Sequence, residues 1–202
     1  MAVKYFAILD TETNSFVEPG NSDSGLPVQI SAVITNIDFV VIKSINVFIK
    51  QDYLDPRSVA VHGFTREKLE ELNALSMNEA YEKFYIESGV DWENTAAIAH
   101  NSSFDQRIME RFAQKCGRYD KIPQYLDTLK YFKTIRDPEK KNNKLETVVN
   151  YLGGDKDTIG QLTQKIYSTN NQYHDARYDT AALLFATYKV RDKFLNYYGS
   201  KL

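Results

Sequence analysis

Five residues spread over most of the chain have the types and spacing that divalent-metal chemistry requires. Asp10 and Glu12 end the apolar run Tyr5-Phe6-Ala7-Ile8-Leu9. Residues i and i+2 of a strand share a face, so both carboxylates leave the same side of the strand tip. Nothing in the run can neutralise them, and carboxylate oxygens suit hard cations such as magnesium. Taken alone, so short a pattern is more simply a solvated acidic turn. Asp105 follows in Ala99-His100-Asn101-Ser102-Ser103-Phe104-Asp105-Gln106, in the first turn of a helix that leaves a strand end. An acid there commonly does no more than complement the helix dipole, worth a few tenths to about 1 kcal/mol; beside Asp10 and Glu12 it becomes a candidate third ligand. Tyr173-His174-Asp175-Ala176-Arg177-Tyr178-Asp179 opens the last long helix. Five helical residues rotate the chain by about 500° and would set His174 and Asp179 about 140° apart, so the two converge only if His174 precedes the helix. A loop-borne imidazole beside a carboxylate-held metal is placed to take a proton from an attacking water. A capping or surface histidine is the plainer reading of His174 by itself.

These groups need elements to hold them. The apolar run reads as a buried central strand, and 27–37 and 39–49, rich in β-branched residues, read as two more strands turning at 36–38. Together they predict an antiparallel meander. Residues 17–26, with Gly, Ser, Asn, Asp and Pro19, read as a solvated loop. Thr65 is a candidate N-cap for a helix over 66–72, and Ser76 with Glu79 forms a capping box for the next. A second box, Ser103 with Gln106, precedes a buried stripe of Phe104, Ile108 and Phe112. Asp127 stands near the cap of a helix that follows a short strand, and the lysines of 137–144 read as solvated surface. Leu145, Val148, Val149 and Leu152 have helical spacing that Gly153-Gly154 ends. Residues 155–172 read as a long, polar, mobile segment with at most a short helix over 163–167, and the final helix is expected to run to about Tyr197.

A chain of 202 residues with 43% hydrophobic content suffices for one well-buried core, here a single domain over 1–202. Its formal net charge of -2 argues against a protein that grips long nucleic acid mainly through a basic surface, and is compatible with a nuclease that holds only a strand end. The single cysteine, Cys116, permits no intramolecular disulfide and reads as a small buried hydrophobe on a helix, which suits a reducing compartment. With no secretory pattern and no run of membrane-spanning length, the expected location is cytoplasmic, with no membrane partner.

In order, Asp-x-Glu after an apolar strand, His-Asn-x-x-Phe-Asp opening a helix and His-x-Ala-x-x-Asp opening the last helix resemble the DEDD 3′-to-5′ exonucleases. The match is to their histidine subclass, the proofreading-subunit-like enzymes. Each motif is weak alone; the ordered set, from residue 10 to residue 179, is specific. Val61-His62-Gly63-Phe64-Thr65 and Leu126-Asp127-Thr128-Leu129 resemble two further family segments. The resemblance implies an α/β, ribonuclease-H-like fold with a mixed five-stranded sheet flanked by helices. It implies Asp10, Glu12, Asp105 and Asp179 as ligands of two Mg2+ or Mn2+ ions and His174 as general base. Thr11, Thr13, His62, Phe64 and Asn101 would contact substrate, and Phe64 and Phe16 are the candidates for stacking on a base. The implied partner is a single-stranded DNA or RNA 3′ end, DNA being preferred, in proofreading or repair, with a DNA polymerase as an optional partner. Position 175, where the tyrosine subclass has its tyrosine, is Asp. Two departures touch the nucleotide pocket: Thr13-Asn14-Ser15 lacks a family glycine, and Gln29 replaces a family Glu on the second strand. An inert nucleic-acid- or protein-binding module on the same fold is the alternative, and it would usually have lost one of the acids.

Overall fold

The computed structural model describes residues 3–119, 122–169 and 173–199. Its centre is β1 (Tyr5–Thr13), whose Phe6, Ala7, Ile8 and Leu9 are all buried, as a strand covered on both faces must be. β2 (Pro27–Asn36) and β3 (Val41–Phe48) extend the sheet antiparallel on one side; β4 (Thr95–Ala99) and β5 (Gln124–Asp127) extend it parallel to β1 on the other, in the order β3-β2-β1-β4-β5. This is the expected meander within a mixed five-stranded sheet. The turn is longer than predicted: Phe39 adopts φ 61 and packs its ring on Phe6 at 5.1 Å, so β3 starts only at Val41.

Helices cover both faces, and the two periodic faces of β1 meet different ones. Phe6 and Ile8 face a core shared with α8 (Ala176–Lys189), while Ala7 and Leu9 face one shared with α4 (Ser102–Lys115) through Met109 and Phe112. α8 is buried nearly all round, and Ala181, Ala182 and Ala186 let it lie close to the sheet. Each large side chain in these clusters is worth about 1.5–3 kcal/mol of burial. The cores thus fix β1, α4 and α8 against one another.

Several local expectations are corrected. α1 (Pro56–His62) forms where the sequence suggested only a break, started by Asp55, whose side chain accepts from Arg57 N, with Pro56 at the first helical position. α2 (Arg66–Glu71) and α3 (Met77–Tyr81) start at Thr65 and at the Ser76/Glu79 box as predicted. α4 does not begin with a Ser103 box: Asn101, in the left-handed conformation at φ 73, is its N-cap. Asp127 caps α5 (Thr128–Thr134), and α6 (Leu145–Tyr151) ends as expected before Gly153. The segment read as mobile contains α7 (Lys156–Tyr167), packed against α8; positions 170–172 of that reading lie outside the described residues. The last helix breaks at Val190 into α8 and α9 (Arg191–Tyr198). Cys116 follows α4 as its C-cap and is only partly buried. Lys140 is no solvated lysine but buried, donating to the Phe132 carbonyl and to Asn143 Oδ1. No helix among the described residues is long and apolar enough to cross a membrane.

Candidate active site

The C-terminal tip of β1 gathers the acids. Asp10 and Glu12 leave it on the α8 face, as the strand period requires, and keep part of their surface exposed. Thr11 points the other way and donates its hydroxyl to Asp105 Oδ1 at 2.9 Å, which ties the start of α4 to the strand tip. The left-handed Asn101, a residue type that tolerates positive φ, turns the chain from β4 into α4 and so brings Asp105 there. Asp105 and Asp179 are buried.

His174 precedes α8, as convergence with Asp179 demanded. It adopts φ 68, which directs its backbone N–H into the site, where it donates to Asp179 Oδ2 at 2.9 Å. The ring is exposed, and one ring nitrogen, a Glu12 oxygen and an Asp179 oxygen lie within 4.8 Å of one another. Asp10 and Asp105 stand outside that tight trio and interact with it through their charge.

That charge is uncompensated. No ion pair among the described residues reaches Asp10, Glu12, Asp105 or Asp179. Burial raises the Asp10 carboxyl well above the usual range, and the neighbouring charges of Asp179, Asp105 and Glu12 raise it further. Glu12 is pushed to about 9, chiefly by burial and then by Asp179 and Asp175. Asp105 rises to about 7 through burial, against the opposing Thr11 hydrogen bond. Asp179 also rises to about 7 through burial, restrained by the His174 N–H. A cluster of this kind holds protons when metal-free and exchanges them for a cation. The donor set, carboxylate oxygens with one peripheral imidazole, fits a hard divalent ion.

The positions named as substrate contacts do not share one surface. Thr13 and His62 form one wall: His62 Nδ1 accepts from Phe64 N at 3.0 Å, which assigns the proton to Nε2 and makes it the donor to the Thr13 carbonyl at 3.1 Å. Burial holds this ring below its usual pKa, in keeping with the neutral tautomer. Phe64 is only 5% exposed and packs on Phe48 and beneath His62, so it supports that wall from behind instead of offering a face to a base. Phe16 is 58% exposed, with the Arg57 guanidinium 5.2 Å from its ring centre. Asn101 is exposed at the α4 side, its N–H donating to Asp127 Oδ1.

Residues the sequence did not point to complete the surroundings. Asp175 caps α8 and receives a forked contact from Arg177. Asn14 and Ser15 are buried and clasp the loop that follows β1, which is therefore not simply solvated. Short polar residues next to the Asp-x-Glu motif were the only available signal.

The model of the exonuclease family described as RNase T matches residues 7–186. Among solved structures, the chain is similar to zinc-bound E. coli exonuclease I in complex with single-stranded DNA, at 17% identity over 98% of this chain and 43% of that one, with a TM-score of 0.72. It is similar to a 3′-exonuclease solved for 3′-end-specific recognition of a histone mRNA stem-loop, at 12% identity, 96% and 84% coverage and a TM-score of 0.70. It is also similar to the nuclease domain of 3′hExo, a DEDDh family member bound to rAMP, at 13% identity, 95% and 93% coverage and a TM-score of 0.68. At these identities the likeness is one of fold, the ribonuclease-H-like architecture expected from the motifs. The chain spans 43% of the exonuclease I chain. Among curated proteins no relative matches the sequence.

Proposed function

The chain belongs to the RNase T exonuclease family, and from that premise we propose a 3′-to-5′ polarity and a single-stranded substrate. Nucleoside 5′-monophosphates leave one at a time from the 3′ end, of DNA in preference to RNA, and residues 1–202 act as one exonuclease domain. The observation that most directly supports this reading is the cluster of four acids without a basic partner, with the exposed His174 ring on its rim.

Asp10, Glu12, Asp105 and Asp179 would hold two divalent ions, magnesium or manganese. Bound there, such ions make water easier to deprotonate and stabilise charge on the leaving oxygen. His174 accepts the proton of the attacking water. The water oxygen bonds to phosphorus as the P–O3′ bond breaks, the departing 3′ oxygen takes a proton from solvent, and a strand one nucleotide shorter retains a 3′-hydroxyl. Four carboxylates already meet the oxygen preference of the cation, which leaves the imidazole for proton transfer. The wall of Thr13 and His62 closes the end-nucleotide pocket, and Phe16 supplies the aromatic face for a base.

Timed digestion of 5′-labelled single-stranded DNA and RNA with magnesium, manganese or EDTA tests the reading. A ladder shortening from the 3′ end with either metal, none with EDTA, and resistance of a strand ending in a 3′-phosphate are expected. Long internal fragments would mean an endonuclease, and binding without hydrolysis under every condition an inert module. Faster loss of RNA than of DNA would reverse the preference.

A further inference from the structure

Gln29 stands on β2 directly across the ladder from Glu12, so its side chain rises on the face that carries Asp10 and Glu12. It is fully buried, and a buried amide is costly unless both its ends are hydrogen-bonded. Here both are. Nε2 donates to Asp175 Oδ1 at 3.0 Å and to Asn46 Oδ1 at 2.9 Å, and Oε1 accepts from Ala176 N at 2.9 Å. Those partners sit at the N-terminus of α8: Asp175 is its N-cap, and Ala176 its first residue, whose N–H has no partner within the helix. Arg177 grips the same carboxylate, its Nε donating to Oδ1 at 3.0 Å and its Nη2 to Oδ2 at 2.7 Å, with its guanidinium 5.0 Å from the Phe48 ring centre. The turn that bears His174 is thus anchored on its C-terminal side to the sheet through Gln29, and on its own N–H to Asp179.

No other side chain of that length meets both demands. A glutamate at this position could accept from Ala176 N–H but would press a second negative charge on Asp175. A methionine would leave the Asp175 carboxylate and the Ala176 N–H short of a partner. β2 itself needs none of these contacts, since its ladders to β1 and β3 are backbone hydrogen bonds.

We propose that Gln29 is the positioning residue for His174: its amide, fixed on β2, sets where the loop-borne imidazole stands relative to the acid cluster. The inference rests on the assignment of His174 as the base. Its test compares wild type, Gln29→Met, His174→Ala and the double variant on a 5′-labelled oligonucleotide at saturating manganese. Gln29→Met is expected to lower kcat by on the order of 10²-fold, the cost of a small misplacement of a reacting group, with KM unchanged, and to cost nothing further once His174 is absent. In the metal-free protein the His174 ring Cε1–H resonance, one of only three from histidine, should shift or broaden in Gln29→Met while those of His62 and His100 stay in place. Gln29→Glu, which keeps the length of the side chain and an acceptor for Ala176 N–H but sets a carboxylate oxygen against Asp175 Oδ1, should be impaired as well. This near-isosteric variant decides the matter if Gln29→Met folds poorly. An equal loss from Gln29→Met with and without His174, an effect on KM alone, an unmoved His174 resonance, or full activity in Gln29→Glu would each overturn the proposal. Turnover unaffected by His174→Ala would instead overturn the base assignment, and a His174 resonance still moved by Gln29→Met would then keep the anchor and lose its catalytic use.

Discussion

At the scale of the residue, the acids of this site work against the fold that holds them. Asp10 lies in a partly desolvated cluster whose every near charge is of its own sign. Asp10→Asn keeps the shape and removes the charge, so turnover should fall to background while the metal-free protein gains stability. At pH 8 in EDTA a rise of about 2–4 °C in Tm, the shift for roughly 1 kcal/mol in a chain of this length, should be seen by scanning calorimetry. A lower Tm would mean that the carboxylate makes a stabilising contact in the metal-free state. His174→Ala should behave differently, with manganese affinity by calorimetric titration little changed and turnover reduced by on the order of 10²- to 10⁴-fold, the range for a positioned general base. Loss of the manganese isotherm in His174→Ala would move this residue from base to ligand. The five chemical groups were legible in the sequence because each is a titratable residue at a strand end or helix start. The roles of Asp175, Asn14 and Gln29 were not, and Asn14 and Gln29 stood out only as departures from the family pattern, because those roles depend on partners that only the fold supplies: Gln29 meets Asp175 across 146 positions of sequence.

At the scale of the element, the segment joining β1 to β2 is a built loop. Asn14 Nδ2 donates to the Asp23 carbonyl and its Oδ1 accepts from Leu26 N, both at 2.8 Å, while its carbonyl takes Asp55 N at 2.7 Å and so joins the loop to the cap of α1. Gly25 completes the return with φ +60 and no room for a Cβ, which would collide with Val17 Cγ2. Thr13 and Phe16 therefore belong to a clasped structure. Asn14→Ala leaves a buried N–H and a carbonyl without partners, at about 1–3 kcal/mol, which amounts to roughly 2–4 °C of Tm per kcal/mol. KM for a short oligonucleotide should rise more than kcat falls, and limited proteolysis should cut within 17–25 sooner than in wild type. A variant with normal KM and normal resistance to protease would show that the clasp does not shape the pocket. The same contrast explains which elements could be read in advance. Thr65 and the Ser76/Glu79 box announced their helices because caps are local chemistry. α7 was missed although Asp155 caps it and Ile159, Leu162 and Ile166 stand at helical spacing against the core; the polar residues between them obscured that stripe, and the contacts of its Tyr167 hydroxyl with Ser31 of β2 and Thr180 of α8, at 2.8 and 2.9 Å, exist only in the fold.

At the scale of the molecule, the acid cluster makes stability depend on pH and on metal together. In the metal-free folded chain burial lifts Asp105 and Asp179 to about 7 and Glu12 to about 9, whereas in the unfolded chain these carboxyls lose their protons near pH 4. Between those limits the folded state binds more protons than the unfolded one. Stability from these groups is therefore fully present below about pH 4 and is lost as pH rises through 7 and then 9. A divalent cation binds the ionised carboxylates, so its stabilisation must run the other way and grow as protons leave. The expected result is a Tm in EDTA that falls between pH 6 and pH 9, a flatter Tm in saturating magnesium, and a gap between the two that widens steadily with pH. Groups elsewhere in the chain titrate equally with and without metal and cancel in that gap. Asp10→Asn should narrow it, because one proposed ligand and one source of repulsion are lost together. A gap that stays constant with pH, or one that Asp10→Asn leaves intact, would place the stabilising cation somewhere other than the tip of β1.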